Sequence, residues 1–207
     1  MENKIEITPY LTICIPTIVG REEEFDGLVK IIKQQIEEVG AHDFVEIISE
    51  KDNKEISIGV KRYMMYQKAK GFYTVQIDDD DSIAIDYIEK VLDAIQEYEP
   101  DCITYNEYCD MDGIITISDM SIRYDDWKTN PSGQEFKYLR TPTPKCVIKT
   151  TLCKSISKID LRFGEDHAFS KLIKPLLKSE YHIDEYMYYY TRVTKKGETK
   201  NKRYGIK

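Results

Sequence analysis

Histidine is scarce in this sequence. His42, His167 and His182 are scattered through 207 residues, and none has the spacing of a zinc ligand. Cysteine gives no framework either. Cys14, Cys102, Cys109, Cys146 and Cys153 make an odd set without a Cys-x-x-Cys pair, and several sit in apolar runs. That pattern suits reduced, buried thiols, not disulfides, and no histidine lies nearby to activate a nucleophile. No apolar stretch approaches the ~18 residues of a membrane span, and the opening MENKIEITPY lacks the apolar core of a signal peptide. Internal repeats and low-complexity linkers are missing too. Together these absences lead to the expectation of a soluble, cytoplasmic protein, bacterial or made in the host cytoplasm by a phage or virus. With a net charge of −7 there is no overall basic excess to mark a polyanion binder.

What is present indicates a folded domain. Hydrophobic residues make up 41% of the chain, and 16 are tyrosines. The length suits one domain, expected over 1–195, with a basic tail over 196–207. From Arg192 onward seven basic residues face only Glu198, so this end is suited to phosphates or to simple solvation.

Strand-like and helix-like segments alternate through the first hundred residues. YLTICIP (10–16) reads as a buried strand, and 22–39 as a helix with Phe25, Leu28, Val29, Ile32, Ile36 and Val39 on one face. DFVEIIS (43–49) is a second strand. Residues 57–71 read as a helix ended by Gly71, followed by a third strand in FYTVQI. Ser82 is placed as the cap of a helix over 83–98 that buries Ile85, Ile88, Val91, Leu92 and Ile95. Alternation of this kind predicts an α/β fold with a mixed, mostly parallel central sheet flanked by helices. Beyond residue 100 the chain turns β-rich. Asp112-Gly113 marks a hairpin, Glu165 opens a helix that Pro175 bends or ends, and IDEYMYYYTRV is a late strand.

The most unusual stretch is FYTVQIDDDDSIAIDYIEK. Asp78, Asp79, Asp80 and Asp81 stand side by side, a costly arrangement unless water, a cation or hydrogen bonds screen the charges. A solvated turn is the simplest account. An EF-hand loop fits at Asp78, Asp80, Ser82, Ala84, Asp86 and Glu89 but fails at Ile83, where glycine is required, and a strand precedes it instead of a helix. In an open α/β sheet, however, ligands bind at the carboxyl ends of the strands, which is where this turn falls. Carboxylates there can hold magnesium or manganese against substrate phosphates.

LTICIPT, KRYMMYQKAKGFYTVQIDDDD and GEDHAFS…YMYYYTR, in this order over roughly residues 10–195, resemble family-2 glycosyltransferases of the GT-A (Rossmann-like) fold. The resemblance implies a metal-dependent, inverting transfer of a sugar from a nucleotide-diphosphate donor, by analogy a UDP-sugar, to an acceptor hydroxyl. Mn²⁺ or Mg²⁺ is the implied cofactor. It further implies nucleotide contacts from Pro16, Thr17 and Arg21 after the first strand, and from Asp52 after the second. The family's Arg-Asn-x-Gly segment keeps Arg62, while Tyr63 and Met65 replace its Asn and Gly. The Asp-x-Asp motif falls on Asp78, expected near the ribose and metal, and Asp80, expected on the metal, with Asp79 in the donor set. Glu165-Asp166 resembles the acceptor-side acidic pair, with Asp166 as general base. Their other reading is that acids simply favour a helix N-terminus. Arg192 is expected over the diphosphate. Trp127 and His167 are candidates for the acceptor side, with packing and a solvated helix face as their alternatives.

Two other functions stay open on the sequence. A nucleotidyltransferase on a related sheet would want a Gly-rich basic loop after the first strand, and TIVGREEEF offers only Gly20 and Arg21. A non-catalytic nucleotide-sugar-binding or scaffold protein would explain Tyr63 and Met65. The acceptor itself, whether glycan, lipid-linked sugar, protein or modified DNA, is not specified.

Overall fold

The computed structural model describes residues 8–192. The basic tail therefore lies outside the described residues, as does the side chain of Arg192. Three parallel strands form one half of the sheet: β1 (Leu11–Ile18), β2 (Val45–Asp52) and β3 (Tyr73–Gln76), with β1 between the other two. Their crossovers are α1 (Glu22–Glu38) and α2 (Ile58–Lys68). Helix α1 forms because Leu28, Ile32 and Ile36 recur on the face that meets the sheet. Helix α2 starts at Ser57, whose hydroxyl accepts from the Val60 N–H at 3.3 Å. It ends at Lys68, three residues before the Gly71 stop read from the sequence. Gly71 instead lets the backbone pass β1, since a Cβ there would sit 2.6 Å from the Thr12 nitrogen.

The segment after the aspartates departs from expectation. Ser82 does not cap a helix. Ser82–Ile83 is a short strand, β4, paired antiparallel with Tyr188 and Tyr189 near the far end of the chain. Helix α3 (Tyr87–Tyr98) begins later, and Ile85 lies on the surface, 81% exposed. Pairing with a strand a hundred residues away overrode the local helical periodicity.

The second half is mixed and is built around β5 (Cys102–Met111). One edge of β5 meets β9 (Val147–Lys149) and β6 (Ile114–Met120); the other runs parallel to β10 (Glu180–Arg192). Strand β9 also joins β3, uniting the halves into a ten-stranded mixed sheet among the described residues. The β5–β6 hairpin turns at Asp112 and Gly113, both with positive φ, as the Asp-Gly signal required. Short strands β7 (Lys128–Thr129) and β8 (Tyr138–Arg140) extend the edge. Helices α4 (Thr150–Ser155) and α5 (Glu165–Ile173) precede a 3-10 turn (Lys174–Leu176), where Pro175 ends α5. All five cysteines are buried and unpaired, in keeping with their apolar settings.

Candidate active site

The four aspartates follow β3 at its carboxyl end, next to the ends of β1 and β2. They alternate in environment. The Asp79 and Asp81 side chains are essentially buried, whereas Asp78 and Asp80 keep about a quarter and a fifth of theirs exposed. Asp79 accepts from Thr17 Oγ1 at 2.8 Å and from Arg21 Nη1 at 2.7 Å. The same Arg21 nitrogen lies 3.2 Å from Asp80. Burial raises the Asp79 carboxyl above its ordinary range, and those two donors only partly offset it.

Asp81 is held from the opposite direction. Tyr188 Oη donates to it at 2.7 Å while accepting from the Asp78 N–H at 3.1 Å, so one phenol braces both ends of the turn. Lys145 Nζ lies 3.8 Å from Asp81 and 2.5 Å from Glu107, over the faces of Tyr188 and Tyr190. Burial pushes Asp81 up to about 8 against the pull of Lys145. Lys145, Glu107 and Tyr188 were not found by sequence reasoning. They lie ahead of β9, on β5 and on β10, respectively, and no local pattern marks them.

Around this turn the expected residues converge. Pro16 is buried in β1, and Thr17 follows it. Asp52, at the end of β2, pairs with the buried Lys61, whose Nζ also donates to the Thr17 carbonyl at 2.6 Å. That ammonium holds Asp52 below its ordinary range, although its partial burial alone would raise it. Arg62, one residue on, donates through Nη2 to Asp78 Oδ1 at 2.8 Å.

Across the cleft, Gly164 adopts φ 74° and starts α5 at Glu165 and Asp166. Burial and the neighbouring Asp166 push Glu165 up to about 8. Burial also acts to raise Asp166, but its hydrogen bond with Glu165 and the charges of Arg62 and Lys145 outweigh that and hold it low. The two carboxyls thus hold their protons unequally, Glu165 the more tightly and Asp166 the less.

Trp127 and His167 do come together, with ring centroids 4.9 Å apart. Trp127 Nε1 lies 3.3 Å from Ser170 Oγ, which also bonds the Asp166 carbonyl oxygen. Arg140 lies 4.6 Å over the indole, and His167 pairs with Asp126 at 2.8 Å. Both residues thus clasp the 121–140 segment to the start of α5.

Among the described residues, no three or more His, Cys, Asp or Glu side chains are grouped to hold a metal ion. The partly exposed carboxylates Asp78 and Asp80 nevertheless fit magnesium or manganese, since such ions take one or two protein carboxylates and complete their shells with water and phosphate oxygens.

The family described as "Glycosyl transferase family 2" matches residues 24–162. The chain belongs to glycosyl transferase family 2. No curated protein matches its sequence. Among solved structures, this family-2 chain is similar to S. aureus TarS 1-349 in complex with UDP-GlcNAc, with TM-score 0.61 and 16% identity over 94% of this chain and 61% of that one. It is also similar to the mannosyltransferase PcManGT from Pyrobaculum calidifontis in complex with GDP-Man and Mn²⁺. There the TM-score is 0.51 and the identity 11%, over 87% of this chain and 56% of the other. At such identities the likeness establishes the α/β GT-A fold. The chain spans about three fifths of the length of these structures. No described helix is long and apolar enough to cross a membrane.

Proposed function

We propose that this family-2 chain transfers a sugar from a nucleotide-diphosphate donor, a UDP-sugar in the first instance, to an acceptor hydroxyl with inversion. The observation that carries the reading is the Glu165–Asp166 pair. An ionised carboxylate at a helix start lies across the cleft from the aspartate turn, and Arg62 reaches toward both.

Thr17, Arg21 and Asp52 surround the place of the nucleotide at the ends of β1 and β2. Asp80, with Asp78, would hold the divalent cation, which when bound supplies positive charge to the departing diphosphate. Asp166 takes the proton of the acceptor hydroxyl as its oxygen bonds to the anomeric carbon. The bond from that carbon to the diphosphate oxygen breaks, and its electron pair leaves with the diphosphate. Glu165, protonated beside it, donates a hydrogen bond that keeps Asp166 anionic and oriented. Trp127 and His167, clasped to the same helix, border the acceptor side.

Asp166→Asn tests this. It is expected to retain nucleotide binding while single-turnover transfer falls by about 10²–10⁴, the usual contribution of a general base. Transfer at the parent rate would refute the assignment.

A further inference from the structure

Arg62 has contacts that a donor ligand alone would not need. It is 5% exposed and comes from α2 between the two acidic groups. Nη2 is bonded to Asp78, while Nε stands 3.7 Å from Glu165 Oε1, an ion pair without a hydrogen bond. Nε and Nη1 have no hydrogen-bond partner among the described residues. A guanidinium has five N–H donors to satisfy, and leaving the three on Nε and Nη1 buried and unpaired is costly. Beside it, a cavity of about 10 Å³ bordered by Arg62, Tyr63, Tyr66, Glu165 and Phe169 has room for a single water.

The mounting of this side chain is rigid. Gly59, one turn earlier, packs so closely that a Cβ would lie 2.4 Å from the Ile159 carbonyl oxygen and 3.3 Å from Glu165 Cβ. Its N–H donates to the Leu161 carbonyl at 3.2 Å. The start of α2 is thus pressed against the segment that delivers Glu165. The charged groups that face Asp166 are Glu165 on its own helix, Arg62 on α2 and Lys145 ahead of β9. Lys145 is already engaged by Glu107 and Asp81. Arg62, with donors to spare, is the cation that can change its allegiance.

We propose that Arg62 is a positioning residue that couples the two sides of the cleft, so that engagement of Asp78 on the donor side releases guanidinium charge to the Glu165–Asp166 pair and readies the base. Its catalytic meaning rests on Asp166 being that base, but the coupling is measurable without any transfer. A cation bound at Asp78, or removal of the Asp78 charge, acts in the same direction: the Glu165–Asp166 pair gives up its shared proton more readily.

The test is a carboxyl-carbon NMR titration of the full chain, comparing wild type with Asp78→Asn, Arg62→Lys and Arg62→Gln. In Asp78→Asn, Glu165 is expected to titrate at least half a pH unit below its parent midpoint, roughly a threefold change in proton affinity. Arg62→Gln is expected to raise the Asp166 midpoint by about one unit, or tenfold, with Arg62→Lys in between. Should Arg62→Gln fail to fold, Asp78→Asn decides alone, because the Asp78 side chain is a quarter exposed. Unchanged Glu165 and Asp166 midpoints in Asp78→Asn would overturn the coupling and leave Arg62 a ligand or a structural residue. Transfer at the parent rate in Asp166→Asn would instead refute the base assignment, with the coupling intact.

Discussion

The aspartate turn and the start of α5 both place carboxylates side by side, and they disperse the charge in different ways. In the turn, alternate residues are buried, and each buried carboxyl has its own donors: Thr17 and Arg21 for Asp79, Tyr188 and Lys145 for Asp81. Those partners come from three separate segments, so the turn is cross-braced and Asp78 and Asp80 stay partly exposed. At α5 there is no such set of partners among the described residues. Glu165 and Asp166 settle their repulsion by sharing protons unequally, with Arg62 close by. Asp81 is raised as far as Glu165, but it sits fully buried among fixed donors, whereas the α5 pair lies beside the cleft. That suits one region to holding a ligand and the other to moving a proton.

The largest expected effect that separates the two regions is on stability. Asp81→Ala removes the Tyr188 bond and one of the two carboxylates at Lys145, and should cost roughly 3 kcal/mol in urea unfolding. A loss below about 1 kcal/mol would mean that the turn is not cross-braced. Asp79→Ala strands only Thr17 and the part-exposed Arg21, so a smaller cost, about 1–2 kcal/mol, is expected from the same measurement. Asp80→Asn should lie within about 0.5 kcal/mol of the parent, as for other surface positions. If Asp80→Asn proved as damaging as Asp81→Ala, the alternation of roles along the turn would be lost.

The contrast also explains what the sequence revealed. Strands β1 to β3 were legible because each is a short apolar run before a polar turn, and the Asp-x-Asp turn follows directly from β3. The hairpin at Asp112-Gly113 was legible for its turn chemistry, and the helix start at Glu165-Asp166 for its acids, whereas a role for that pair came only from the family resemblance. Ser82 and Ile85 misled because β4 exists only through pairing with Tyr188 and Tyr189, which no local pattern encodes. Lys145, Glu107 and Tyr188 were missed for the same reason: their importance arises where three distant segments meet beneath Asp81. Nor does the sequence say which aspartates turn inward, since that depends on where Thr17 and Tyr188 stand.

The last effect is read as a dependence on pH, not at a single pH. Burial and Asp166 push the Glu165 carboxyl up to about 8 in the folded chain, against an unfolded value near 4.3. Between these, the folded chain holds a proton that the unfolded chain has released, so this group's contribution to stability declines as pH rises toward 8 and is level beyond. Asp166, held low, acts in the opposite sense and only in acid, below an unfolded value of about 3.9. Glu165→Gln should therefore flatten the change in unfolding midpoint between pH 5 and 9. Parallel curves for parent and variant would show that the pair does not share protons unequally.

The measurement that tests the whole account most directly is calorimetric titration of UDP, GDP and CMP, with and without Mn²⁺, into the parent and Asp80→Asn. The account predicts manganese-dependent binding of one nucleotide, UDP first, weakened at least about tenfold in Asp80→Asn, or about 1.4 kcal/mol. Failure of all three nucleotides to bind with or without the metal would contradict it, and would leave the four aspartates as a braced surface turn.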